Sequence, residues 1–156
     1  MLDANTKKVK ITQVFELYST DVYRFALSIT HETYLAQDVT QEVFLSLLQN
    51  DGKIRDDSKI KAWLLTVTRN TALNILRKRS FETSLPDMPL TETNTGACQS
   101  EFLSLIDCLE ETDRQIVVLH IVNGLKHKEI AAITSMRPGT VQQRYARCVK
   151  IIKQNL

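Results

Sequence analysis

Residues 81–99 read FETSLPDMPLTETNTGACQ. This stretch holds two prolines, one glycine, five threonine or serine residues, three acids and no base. Proline removes a backbone donor and breaks a helix, and the surrounding small polar residues offer little apolar surface to bury. A single unbroken set of periodic elements is therefore excluded. The chain must fold on either side of a linker, giving expected units at 1–80, 81–99 and 100–156.

Charge divides along the same line. Residues 1–80 carry a net charge of +3, the linker −3, and residues 100–156 +2. The formal total of +2 thus conceals two basic modules joined by an acidic tether. A hydrophobic fraction of 43% over 156 residues is enough for folded cores. No apolar run approaches the ~20 residues that span a bilayer, and MLDANTKKVKITQ lacks the apolar segment of a signal peptide. The expectation is a cytoplasmic chain without direct membrane insertion. Cys98, Cys108 and Cys148 have no C-x-x-C spacing and read as small buried hydrophobes.

Outside the linker the apolar residues recur with helical period, and strand-like alternation is not sustained. Helices are expected near 11–30, 35–49, 59–79, 100–108, 112–122, 126–134 and 138–154. The fold class is all-α: two small helical domains joined by a flexible linker. In ETDRQ, Thr112 reads as an N-cap with Gln115 completing a capping box.

The C-terminal stretch RPGTVQQRYARCVKIIK has five bases and no acid. Pro138 suits the first turn of a helix. Val141, Tyr145, Cys148 and Ile152 form its apolar stripe, while Thr140, Gln143, Arg144 and Arg147 form another. Glutamine and arginine make bidentate contacts to base edges, and arginine also binds phosphate. The preceding HKEIAAITSM turns Ile130, Ala131 and Ile133 inward. Together they predict a helix-turn-helix whose second helix enters a major groove, Arg137 standing at its start. A basic helix solvated on the outside of a bundle is the plainer alternative.

Two N-terminal helices carry further signals. In QDVTQEVFLSLLQ the apolar face is Val39, Val43, Phe44, Leu47 and Leu48. Opposite it lie Asp38, Gln41, Glu42, Leu45 and Gln49. A leucine among polar residues suggests a protein-docking surface, although scattered exposed leucines are ordinary. In KIKAWLLTVTRNTALNILRKRS the core stripe is Ile60, Leu64, Val67, Thr71 and Ile75. A second stripe holds Trp63, Thr66, Asn70, Asn74 and Arg77, an aromatic–amide face suited to unstacked bases. Arg77, Lys78 and Arg79 add charge for phosphates. The plainer reading makes Trp63 a corner of the core and the amides solvated.

AQDVTQEVFLSLLQ and KAWLLTVTRNTALNILRKR together resemble region two of a bacterial extracytoplasmic-function (ECF) sigma factor. LEETDRQIVVLHIVNGLKHKEIAAITSMRPGTVQQRYARCVKII resembles region four. The resemblance implies a protein that binds core RNA polymerase, recognises promoter DNA and helps melt it. It implies that Asp38, Gln41, Glu42 and Leu45 dock on polymerase. It places Asn70 and Asn74, with the loop DGKIRDDSK, at the single-stranded −10 element, and Arg144 and Arg147 at the −35 duplex. The acidic linker would pass through the basic RNA-exit region. An anti-sigma factor is an implied partner.

The sequence departs from the family where GTVQQR replaces the commoner G-T-V-K-S-R, and Ser135 stands where the turn usually carries glycine. Asn74 also stands where aspartate is frequent. No P-loop, G-x-S-x-G or metal-spaced histidine cluster is present; His31, His120 and His127 lie far apart in sequence. Neither an enzyme nor a cofactor is expected. The competing expectation is a helix-turn-helix regulator that binds duplex without polymerase.

Overall fold

A computed structural model describes residues 4–50, 59–82 and 104–156 of the chain. All regular structure among the described residues is helical. The loop expected to meet DNA at 51–59 lies outside them except for Lys59. So does the linker beyond residue 82.

Helix α1 (Ala4–Thr30), α2 (Thr33–Gln49) and α3 (Ile60–Glu82) form a three-helix unit. α1 starts seven residues earlier than its apolar period suggests, and α3 runs past the proposed boundary at residue 80. The unit closes over Val22, Phe25 and Ile29 of α1, Val39 and Val43 of α2, and Leu64 and Leu65 of α3, all nearly inaccessible to water. Complete burial of side chains this size contributes about 1.5–3 kcal/mol each. α1 turns into α2 through His31 and Glu32. His31 takes the left-handed conformation, φ 60°, and its N–H donates to the Leu27 carbonyl at 2.8 Å. That bond ends α1 in the manner of an αL cap.

The core register of α3 differs from the sequence expectation. Ile60 and Leu64 are buried, but Val67, Thr71 and Ile75 are only half-buried. Leu65, Thr68 and Ala72 complete the inward face. Thr68 tolerates complete burial because its hydroxyl donates to the Leu64 carbonyl at 2.6 Å. On α2, Val39, Val43, Phe44 and Leu47 are buried as expected, whereas Leu48 is 51% exposed.

Residues 104–106 are helical before α4 (Glu111–Val117), and residues 100–103 of the helix expected at 100–108 lie outside the described residues. A π-helical segment, Val118–Val122, continues α4 and closes with Asn123 N–H on the Val118 carbonyl at 3.1 Å. Gly124 then takes φ 70°, a conformation costly for residues with a Cβ. α5 (His127–Thr134) and α6 (Pro138–Gln154) complete the second unit. Its core is Ile116, Leu119, Leu125, Ile130, Val141 and Cys148. The expected cap of α4 is not formed. Glu110 occupies the N-cap position, without a side-chain bond. Gln115 is buried, and its Oε1 accepts from Arg69 Nε of α3 at 2.7 Å. That longer-range bond has captured the side chain a capping box would use.

The two units meet along a polar seam. Besides Arg69–Gln115, Arg114 Nη1 lies 2.8 Å from His31 Nε2, and Asn123 Nδ2 donates to the Asp21 carbonyl at 3.1 Å. Arginine is always a donor, so His31 Nε2 accepts and its proton rests on Nδ1. Burial, and then repulsion from Arg114, lower the His31 pKa from 6.5, against the opposing pull of Asp107 and Glu111.

Candidate nucleic-acid interface

α5 and α6 form a helix-turn-helix. Ile130, Ala131 and Ile133 face inward, and α6 lays Val141 and Cys148, both 0% exposed, against the core. Tyr145 and Ile152 are half-buried beside them. Pro138 is the first helical residue, preceded by extended Arg137. Ser135 adopts φ 59°, ψ 36°. A serine thus occupies the left-handed turn position that favours glycine, and Met136 N–H closes the turn on the Ala131 carbonyl at 3.0 Å.

The exposed surface of α6 is basic and polar. Arg137, Thr140, Gln142, Gln143, Lys150 and Lys153 face outward. Arg147, 120° from Val141 at 100° per residue, is exposed as expected, whereas Arg144, at 60°, flanks the apolar stripe. Both side chains reach across to α4. Arg144 Nη1 donates to Asp113 Oδ1 at 3.1 Å, and Arg147 Nη2 to Asp113 Oδ2 at 3.0 Å. The Asp113 side chain is 4% exposed, against 34% for Arg144 and 58% for Arg147. An acid in the first turn of a helix reads as a partner of the helix dipole. Nothing local in the sequence distinguishes Asp113 from that role.

Beneath this surface the rings of His120, His127 and Tyr145 meet, His120 and His127 tilted with centroids 4.7 Å apart and Tyr145 edge-on to His120 at 4.5 Å. Two histidines that seemed unrelated along the chain thus share one cluster. His120 Nδ1 donates to the Leu125 carbonyl at 2.9 Å. Burial, and secondarily His120, lower the pKa of His127, whose Nδ1 is buried without a partner. Burial pushes the Cys148 thiol up to about 11, so it stays protonated at neutral pH and behaves as a core residue. Cys108, expected inside, is exposed. Among the described residues no group of three or more His, Cys, Asp or Glu is placed to hold a metal.

On α3, Asn70, Asn74, Arg77 and Lys78 are exposed. Trp63 is half-buried and packs against the core, as the plainer reading had it. Thr66 donates to the Ala62 carbonyl at 2.8 Å. Arg79 is ion-paired with Glu32 and so is tied to the α1–α2 turn. The three consecutive bases are therefore not equivalent: two are exposed and one braces the fold.

On α2, Asp38, Gln41 and Glu42 are exposed, and Leu45 is 57% exposed. Leu45 and Leu48 border a groove of about 450 Å³ shared with Ile11, Thr12 and Phe15 of α1. Phe15 stands edge-on to Phe44, centroids 4.9 Å apart, and is itself 46% exposed. The α1 wall of this groove was not anticipated, because Phe15 alone reads as an ordinary apolar position of an amphipathic helix. No helix among the described residues is long and apolar enough to cross a membrane.

Comparison with known proteins agrees with this architecture. Residues 14–82 match the family model for sigma-70 region 2, and residues 99–151 that for sigma-70 region 4. The chain is 30% identical over 135 residues to the ECF RNA polymerase sigma factor SigM of Bacillus subtilis, covering 81% of this chain and 82% of SigM. It is 29% identical over 130 residues to the ECF RNA polymerase sigma factor EcfG of Rhodopseudomonas palustris, covering 79% of this chain and 72% of EcfG. The fold resembles that of the sigma factor RpoE from Bartonella quintana, solved with the anti-sigma factor NepR, at a TM-score of 0.78. That likeness covers 93% of this chain and 95% of RpoE at 22% identity. Two helical units in this order, a helix-turn-helix in the second and relatedness along most of both chains place this protein among the extracytoplasmic-function sigma factors of the sigma-70 family.

Proposed function

We propose that the chain binds core RNA polymerase, directs it to promoters through −35 and −10 elements, and promotes melting at the −10 element. The observation that carries this reading is the half-exposed Leu45, set among Asp38, Gln41 and Glu42 beside an apolar groove. A regulator acting alone needs the helix-turn-helix but not a second, protein-docking surface of this kind. α6 supports duplex recognition through Arg137, Thr140, Gln143, Arg144 and Arg147. Asn70, Asn74, Arg77 and Lys78 of α3 offer amides and charge to an unpaired strand, with Trp63 at the margin of that face and Arg79 contributing field rather than a free arm. The region-two unit, the linker and the region-four unit are assigned to 1–80, 81–99 and 100–156. We place its action in the cytoplasm, where core polymerase acts, with no catalysis of its own. The RpoE and CnrH relatives in fold were solved with an anti-sigma factor and with the cytosolic domain of CnrY, respectively, which supports a partner of that kind here.

Leu45→Arg tests the docking surface. Its side chain is already mostly in water, so the substitution leaves stability within about 0.5 kcal/mol, as for surface positions generally. Burying a charge in an apolar contact weakens core polymerase binding by about tenfold or more. Helix loss by circular dichroism would make Leu45 structural, and unchanged affinity for core enzyme would remove this face from the interface.

A further inference from the structure

The pairing of Asp113 with two α6 arginines raises a question that the proposed −35 contacts do not answer. A carboxylate repels phosphate, yet this one is bonded to both guanidinium groups assigned to the duplex. Its depth resolves the conflict. The Asp113 side chain is 4% exposed, so its charge stays behind the arginines and away from the DNA side. Each oxygen takes one arginine, and each guanidinium gives up only one of its five N–H donors. The remaining donors stay available on side chains that are 34% and 58% exposed.

We infer that Asp113 is a positioning residue for −35 recognition: from the first turn of α4 it fixes the spacing and direction of Arg144 and Arg147 before DNA arrives. This rests on the proposed duplex role of α6. Free arginine side chains lose much rotamer freedom when they bind. Arms already held by a buried carboxylate lose less, and they present their donors in one geometry. Non-specific attraction to phosphates depends on charge and survives loosening of the arms, whereas discrimination among duplexes depends on where the donors point. Asp113 therefore governs specificity more than bulk affinity.

The experiment uses holoenzyme assembled from full-length chain and core polymerase, on promoters with matched and mismatched −35 elements at several salt concentrations. Asp113→Asn keeps the size and removes the charge. It is expected to lower affinity for the matched element by about tenfold, a loss of ~1.4 kcal/mol, with the mismatched element nearly unaffected. In an Arg147→Ala, Arg144→Ala background, Asp113→Asn should add no further loss. Wild-type discrimination by Asp113→Asn, alongside weakened binding by the arginine variants, would overturn the positioning role and leave the −35 reading standing. Tighter binding to both elements with a steeper salt slope would also overturn it, making Asp113 a brake. Wild-type −35 dependence in Gln143→Ala and both arginine variants would instead sink the −35 reading itself. If Asp113→Asn fails to fold, nitrogen-15 relaxation at the arginine Nε of the unmodified free chain decides. Rigid Arg144 and Arg147 side chains support the proposal, and mobile ones reject it.

Discussion

Arg114 ties the end of α1 to the start of the second unit, and replacing it should cost far more than a surface charge. Its guanidinium donates to the Leu109 carbonyl at 3.1 Å, to His31 Nε2 at 2.8 Å, and more weakly to the Ile106 carbonyl at 3.4 Å. Bonds from a charged donor contribute about 1.5–3 kcal/mol each when well formed. Taking the low end for the two short bonds and little for the long one, Arg114→Met should destabilise the chain by about 3 kcal/mol. Methionine keeps the aliphatic stem, so lost packing adds little. Urea unfolding followed by circular dichroism, with Trp63 fluorescence as a second probe, should show the midpoint falling by about 1.5 M for a slope near 2 kcal/mol/M. His31→Gln retains an acceptor and should cost less than about 1 kcal/mol. A loss below about 0.5 kcal/mol for Arg114→Met would refute these Arg114 bonds as a source of stability.

The same contact gives a pH dependence. In the folded chain the His31 pKa lies below its ordinary 6.5, so the open state binds the proton more readily. The seam's contribution is complete above pH 6.5 and fades as pH falls below it. Urea midpoints at pH 7.5 and 5.5 should therefore differ by less in His31→Gln than in the native chain; equal differences would remove His31 as the cause. Ser135→Gly relieves a left-handed serine costing about 1–2 kcal/mol, offset by the greater backbone freedom of unfolded glycine. A net gain of about 0.5–1 kcal/mol in unfolding free energy is expected, and destabilisation would mean the turn depends on the serine side chain.

What the sequence disclosed depended on range. Pro138 at a helix start, the inward Ile130–Ala131–Ile133 face and the Val141–Cys148 stripe are local matters of period and backbone geometry, and they were legible. So was the all-helical fold on both sides of an acidic, proline-broken tether. Ser135 stood out only against the family's usual glycine. The failures came where distant residues intervened. Gln115 fits a capping box until Arg69, 46 residues away, claims it. Arg144 and Arg147 read as unpaired bases until Asp113, 31 and 34 residues upstream, binds both. Arg79 looked like a free phosphate ligand, and Glu32 binds it. On α3 the stripe was drawn through Val67, Thr71 and Ile75, one residue away from the Thr68 and Ala72 that face inward beside Leu64 and Leu65. Leu48 read as buried, but among the described residues it borders an open groove and is 51% exposed.

We propose that this chain gives core RNA polymerase a promoter preference. In vitro transcription with purified core enzyme over a randomised promoter library tests it most directly. Transcripts that require the chain, enrichment of one −35 and one −10 sequence at fixed spacing, and loss of both enrichments with Leu45→Arg are expected. Duplex binding by the chain alone with the same sequence preference, and no chain-dependent transcription from any library member, would contradict it and identify a helix-turn-helix regulator instead.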